Sequence, residues 1–134
     1  MERVYTTPLL DKLGVKPGMR LALIDIDDEE FVASLAARTA DITKGPPLPD
    51  TDLIFLGADS VDELQRIAVL KAALVPNGAI WVVSRKGKAA TLRDVEVIDA
   101  AKSVGLVDNK VVSFSPTHTA QRLVIPVALR KARP

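Results

Sequence analysis

Three apolar runs of strand length constrain the fold more than anything else in this chain. MRLALIDI at 19–26, DLIFLG at 52–57 and AIWVVS at 79–84 show almost no alternation of apolar and polar residues. A strand with one wet face alternates, whereas one covered on both faces does not. Each run is followed by residues at helical spacing. Strands that alternate with helices predict right-handed βαβ units around a mostly parallel sheet, hence a three-layer α/β fold.

The intervening residues fill in that frame. Thr7-Pro8 reads as a helix start, with Thr7 as cap, Leu9, Leu10 and Leu13 as the apolar side and Gly14 as the stop. A second helix is predicted from about Asp28 to Arg38, with Phe31, Val32, Leu35 and Ala36 inward, and Ala40-Asp41-Ile42 as a very short strand. TKGPPLPDT at 43–51 is a surface connection. Ser60 and Glu63 have capping-box spacing for a helix reaching about Val75, with Leu64, Ile67, Ala68 and Leu74 buried, and Pro76-Asn77-Gly78 is a turn. Thr91 is the expected cap of a helix carrying Leu92, Val95, Ile98 and Ala101 and ending at Gly105. Two strands, about 106–114 and 121–130, joined by Ser115 to Thr119, form an antiparallel hairpin that adds an antiparallel strand at one sheet edge.

With 134 residues the chain reads as a single domain over 1–134. It has no cysteine, which removes disulfides, a thiolate nucleophile and cysteine-ligated metal. MERVYTTPLLDKLGV lacks the apolar core of a signal peptide, and no apolar run approaches the ~18 residues of a membrane span. A cytoplasmic protein is expected. Net charge is +1, so neither a nucleic-acid nor a membrane partner is expected; a small molecule, a protein or a second copy of the chain is.

The element order, with a hairpin at its C-terminal end, resembles Rossmann-like S-adenosylmethionine-dependent methyltransferases. LVPNGAIWV at 74–82 is similar to their segment in which a helix ends in Pro-Gly-Gly before an apolar strand. More closely, the chain resembles a bacterial family of short uncharacterised proteins, a domain of unknown function with a methyltransferase-like fold. TPLLDKLGVKPGMRLAL at 7–23, WVVSRK at 81–86, GLVDNKV at 105–111 and TAQRLV at 119–124 carry that likeness over nearly the whole chain. Members carry a tryptophan near His118, where this chain departs from the pattern. The resemblance implies a fold and no established activity.

In open α/β sheets ligands bind outside the carboxyl ends of the strands, where strand order reverses. That point is expected between the strand ending at Asp25 and the one ending at Gly57. A methyltransferase needs glycines there for close backbone approach, yet residues 25–30 are DIDDEE, with no glycine between Gly18 and Gly45. An acid for the ribose hydroxyls is also missing, since Ile42 is followed by TKGPP. Asp27 as N-cap with Glu30 three residues on explains most of the acids as a helix start. Asp25 stays open to two further readings. Strand-D-x-D resembles the opening of haloacid-dehalogenase phosphotransferases, with Glu29 at a position that departs from them. A response-regulator receiver would place magnesium at these acids, but Gly57 stands where its phospho-accepting aspartate belongs and Asp59 comes two residues later.

The candidate ligand-binding residues are therefore Asp25, Asp27, Gly57, Asp59, Ser84, Arg85 and Lys86. The basic loop Arg85-Lys86-Gly87-Lys88 offers positive charge on the same rim, although a solvated surface loop is the favoured explanation. Arg122, Arg130, Lys131 and Arg133 make the C-terminal part basic without interleaved aromatics. His118 reads as a surface residue without a zinc partner, and Trp81 as core. The reading is a non-catalytic binding or regulatory module with no catalytic residue, no resident metal and no cofactor. The alternatives are a methyltransferase that uses S-adenosylmethionine at a divergent site, and magnesium-dependent phosphoryl chemistry at Asp25.

Overall fold

The computed structural model describes residues 6–130. Helix α1 (Thr6–Leu13) stops at Gly14, whose φ of +78° suits a residue without a Cβ, and leads to strand β1 (Leu21–Ile24). The Thr7 side chain, expected as the α1 cap, lies outside the described part of the structure. Helix α2 spans Glu29–Arg38. Its cap is Asp28 and not the expected Asp27: Asp28 is extended, at φ −76° and ψ 101°, and its Oδ1 accepts the Phe31 N–H at 3.1 Å. Asp28→Ala is therefore expected to lower stability by about 1 kcal/mol. Asp27→Ala should change it by less than about 0.5 kcal/mol, and paired urea denaturation curves check the difference.

Strand β2 (Ile42–Lys44) lies two residues beyond the short strand expected at 40–42, and β3 (Thr51–Gly57) follows. The Ser60 and Glu63 spacing does cap the next segment. The Glu63 N–H donates to Ser60 Oγ at 3.2 Å, and Glu63 Oε1 accepts from the Asp59 N–H at 2.8 Å. One 3-10 turn (Glu63–Gln65) continues into α3 (Arg66–Lys71), which ends four residues short of Val75. The sheet takes those residues instead: β4 runs from Leu74 to Arg85, and Pro76-Asn77-Gly78 belongs to it. Thr51 pairs with Leu74 and Leu53 with Ala79, so β4 advances five residues where β3 advances two. The proposed turn is a bulge inside a strand.

Helix α4 (Asp94–Ser103) begins after Arg93, not after Thr91, whose hydroxyl donates to the Asp59 carbonyl at 2.6 Å. The later start turns Val97 and Ala101 inward and leaves Val95 exposed, contrary to the expected stripe. Strands β5 (Val107–Ser113) and β6 (His118–Val124) form the hairpin, and Pro126, which has no N–H to give a ladder, precedes a 3-10 turn instead of a longer strand.

The sheet has the order β2-β1-β3-β4-β6-β5. β1 to β4 are parallel, and β6 is antiparallel to both β4 and β5. The antiparallel strand is thus one in from the edge, and β5 forms the edge itself. Along β3, Leu53 and Phe55 face the α1 and α2 side, while Ile54 and Leu56 face α3 and α4. Two cores on one strand explain why the apolar runs do not alternate. On the first face Phe31 packs edge-on against both Phe55 and Phe114, with ring centroids 5.3 and 4.6 Å apart.

Candidate functional site

The chain steps outward from β1 to β2, then crosses back over β1 to β3, so strand order reverses between β1 and β3. Two concavities open at this carboxyl rim. A cleft of about 460 Å³ takes Asp25, Asp27 and Asp28 from the turn after β1, and Gly57, Asp59 and Glu63 from the segment after β3. Arg85 closes it from the end of β4. Because β6 runs against its neighbours, its first residue lies on this rim too, and Ser115, Thr117 and His118 form the far wall. A groove of about 680 Å³ opens on the other side of the β1 turn. Pro46, Pro47, Val69 and Leu70 give it apolar walls, and Lys44 and Arg66 give it cations. Asp25, Ile26 and Asp27 line both.

The turn between the two has an unusual backbone. Asp25 sits at φ +56°, a region that only glycine, asparagine and aspartate visit readily. Its carbonyl oxygen lies so close to Gly57 that a Cβ there would collide with it. Gly57 thus serves the contact between two strand ends. The Asp25 carboxylate turns toward Arg66, with Nη1 to Oδ2 at 2.6 Å and both side chains about half exposed.

Most of the other rim acids also have partners. Asp28 caps α2, and Glu63 holds the Asp59 amide. Asp59 accepts the Arg85 N–H at 2.9 Å and faces the Arg85 Nε at 3.8 Å. Asp27 makes no hydrogen bond or ion pair among the described residues. His118 contacts the neighbouring Thr117 hydroxyl through Nδ1 at 2.8 Å, and that hydroxyl also meets Ser115 Oγ at 3.2 Å. No described carboxylate hydrogen-bonds the ring, so the arrangement lacks the orienting acid of a hydrolytic triad. Nor do three acids or histidines among the described residues converge as a metal cage.

Of the residues singled out in the sequence, Asp25, Asp27, Gly57, Asp59 and Arg85 come together at the cleft. Ser84 is buried in β4 opposite Thr119, and the Lys86 ammonium reaches away to Ser113 Oγ at 2.6 Å, so neither lines it. Glu63 and His118 line it although the sequence marked one as a cap and the other as surface. The available signal for His118 was topological, since the turn of a terminal hairpin returns to the carboxyl rim. Phe31 and Leu56 are both core and do not fill the cleft.

The crevice does not supply the parts that S-adenosylmethionine requires. The turn after β1 presents carboxylates where backbone approach is needed, and the space beside Gly57, at the end of β3, is occupied by the Asp25 carbonyl. The segment that directly follows β2, Gly45-Pro46-Pro47, has no acid at the place where one would hold ribose hydroxyls.

No protein-family model matches this chain, and no curated protein matches it in sequence. Solved structures do match. The pyocyanin biosynthetic protein PhzM is similar at a TM-score of 0.69 and 10% identity, over 88% of this chain and 53% of its own, so the chain spans about half of that relative. The N-methyltransferase NodS from Bradyrhizobium japonicum is similar at 0.65 and 14%, over 92% of this chain and 96% of its own. A methyltransferase dependent on S-adenosylmethionine from Aquifex aeolicus gives 0.61 and 15%, over 90% and 89%. At such identities the likeness concerns the backbone alone. The chain has the Rossmann-like α/β fold of the S-adenosylmethionine-dependent methyltransferases.

Proposed function

We propose that this chain is a non-catalytic binding or regulatory module on a methyltransferase-like scaffold, one that holds a small molecule or a protein partner at its carboxyl rim. The observation that carries the reading is the state of the rim acids. Asp25, Asp28, Asp59 and Glu63 are each tied to a partner within the chain, so they build the turn and the cleft wall instead of standing ready to move a proton. Asp27 and the ring of His118 are left as recognition groups at opposite sides of an open cleft. A second reading, a methyltransferase with a divergent site, is favoured by the apolar groove beside β2, which has the volume of a small-molecule pocket.

A thermal-shift titration of the full chain separates these readings. Neither S-adenosylmethionine nor magnesium chloride is expected to raise the melting temperature in a saturable way. Saturable stabilisation by the cofactor would support the divergent methyltransferase. Stabilisation by magnesium, lost in Asp25→Asn, would support phosphoryl chemistry at the rim.

A further inference from the structure

Away from the rim, the fold contains cations that no acid among the described residues answers. Pairing across the sheet sets Leu23, Phe55, Trp81, Arg122 and Lys110 in one row on the α1 and α2 face. The row passes from core to charge: Trp81 is fully buried, Arg122 is partly buried beside it, and Lys110 stands opposite Arg122 on the edge strand. Like charges placed directly opposite each other destabilise a sheet.

The contrast with the other arginines is sharp. Arg20, Arg38, Arg66, Arg85 and Arg93 each have a carboxylate within 2.6–3.8 Å. Arg122 has no hydrogen bond or ion pair from its guanidinium among the described residues. Arg130 spends its Nε on the Ile125 carbonyl at 2.8 Å, and Lys110 gives its ammonium to the Lys12 carbonyl at 3.0 Å. Neither meets an acid among the described residues. Burial, with the repulsion of nearby Arg130, holds the Arg122 guanidinium below its ordinary pKa. A partly desolvated charge in such company is stabilised when an anion arrives from outside.

We propose that Arg122, Lys110 and Arg130 form an anion site that takes a phosphate group. A guanidinium offers parallel N–H donors in a planar fork, which matches two phosphate oxygens. Three cations with no counter-charge among the described residues suit an anion of two or more charges better than a single carboxylate. The phosphate can come from a free phosphorylated small molecule or from a polynucleotide backbone.

Calorimetric titration of the full chain with sodium pyrophosphate at constant ionic strength tests this. Saturable binding is expected, weakened about tenfold or more in Arg122→Gln and several-fold in Lys110→Gln. Arg122→Gln removes a like-charge opposition and no hydrogen bond or ion pair among the described residues, so it should melt at or above the parent without ligand. That makes loss of binding separable from loss of fold. Lys102→Gln, on α4 across the sheet, should bind as the parent does. Competition with a mixed-sequence single-stranded DNA decides the source: displacement of pyrophosphate at far lower phosphate concentration indicates a backbone, and its failure indicates a small molecule. Absence of saturable binding, undiminished binding by Arg122→Gln, or loss of binding in Lys102→Gln alone would each overturn the assignment.

Discussion

Replacing Trp81 with alanine is expected to cost about 4 kcal/mol of stability, the largest loss of any single substitution considered for this chain. Trp81 is fully buried in β4, with β3 on one side and β6 on the other. Its ring fills the layer under α1, and its Nε1–H donates to the Leu13 carbonyl at 3.1 Å. That carbonyl belongs to the last turn of α1, where no helical N–H remains to satisfy it. Alanine would leave both a cavity and an orphaned acceptor. Trp81→Phe keeps much of the packing and loses the hydrogen bond, so about 1–2 kcal/mol is expected from it. Urea denaturation of the pair measures both terms. Equal losses in the two variants would mean that the hydrogen bond, and not the ring volume, holds α1 in place.

Gly57→Ala is expected to cost about 3 kcal/mol, or a fall of roughly 10 °C in melting temperature. The cause is steric. Gly57 does not need a positive φ, but the Asp25 carbonyl occupies the space a Cβ would take, and backbone on both sides has little room to yield. Gly87→Ala provides the comparison. Gly87 sits at φ +69° with open space around it, so its cost is conformational alone, about 1 kcal/mol. Differential scanning calorimetry of both variants distinguishes the mechanisms. A Gly57→Ala loss no larger than that of Gly87→Ala would mean that the β1 turn moves aside easily, contrary to the account of a pinned crevice.

The parallel core was legible because burial on two faces leaves a direct mark, an unbroken apolar run, at 19–26, 52–57 and 79–84. Helix ends were less legible. Asp27 and Asp28 are chemically equivalent candidates, and the choice between them depends on where the strained backbone at Asp25 releases the chain into the helix. Thr91 has good cap chemistry but a better tertiary use at the Asp59 carbonyl. Pro76-Asn77-Gly78 has turn chemistry that strand pairing overrode, with Leu74 drawn against Thr51. At the rim, strand ends pointed to Asp25, Gly57, Asp59 and Arg85. His118 and the hairpin turn arrive there through sheet order, which no local pattern encodes. Nor could spacing reveal that Arg122 would stand without an acid among the described residues, since its row is assembled from five strands.

We propose that the crevice between β1 and β3 is built by the chain for its own turn and does not take S-adenosylmethionine. An amide-resolved NMR titration of the full chain with that cofactor tests it most directly, because the readout is local. No saturable shift is expected at the amides of Asp25 to Asp28, Gly57 and Gly45 up to millimolar cofactor. Saturable shifts at those amides, with a dissociation constant in the micromolar range, would contradict it and place a cofactor in the crevice.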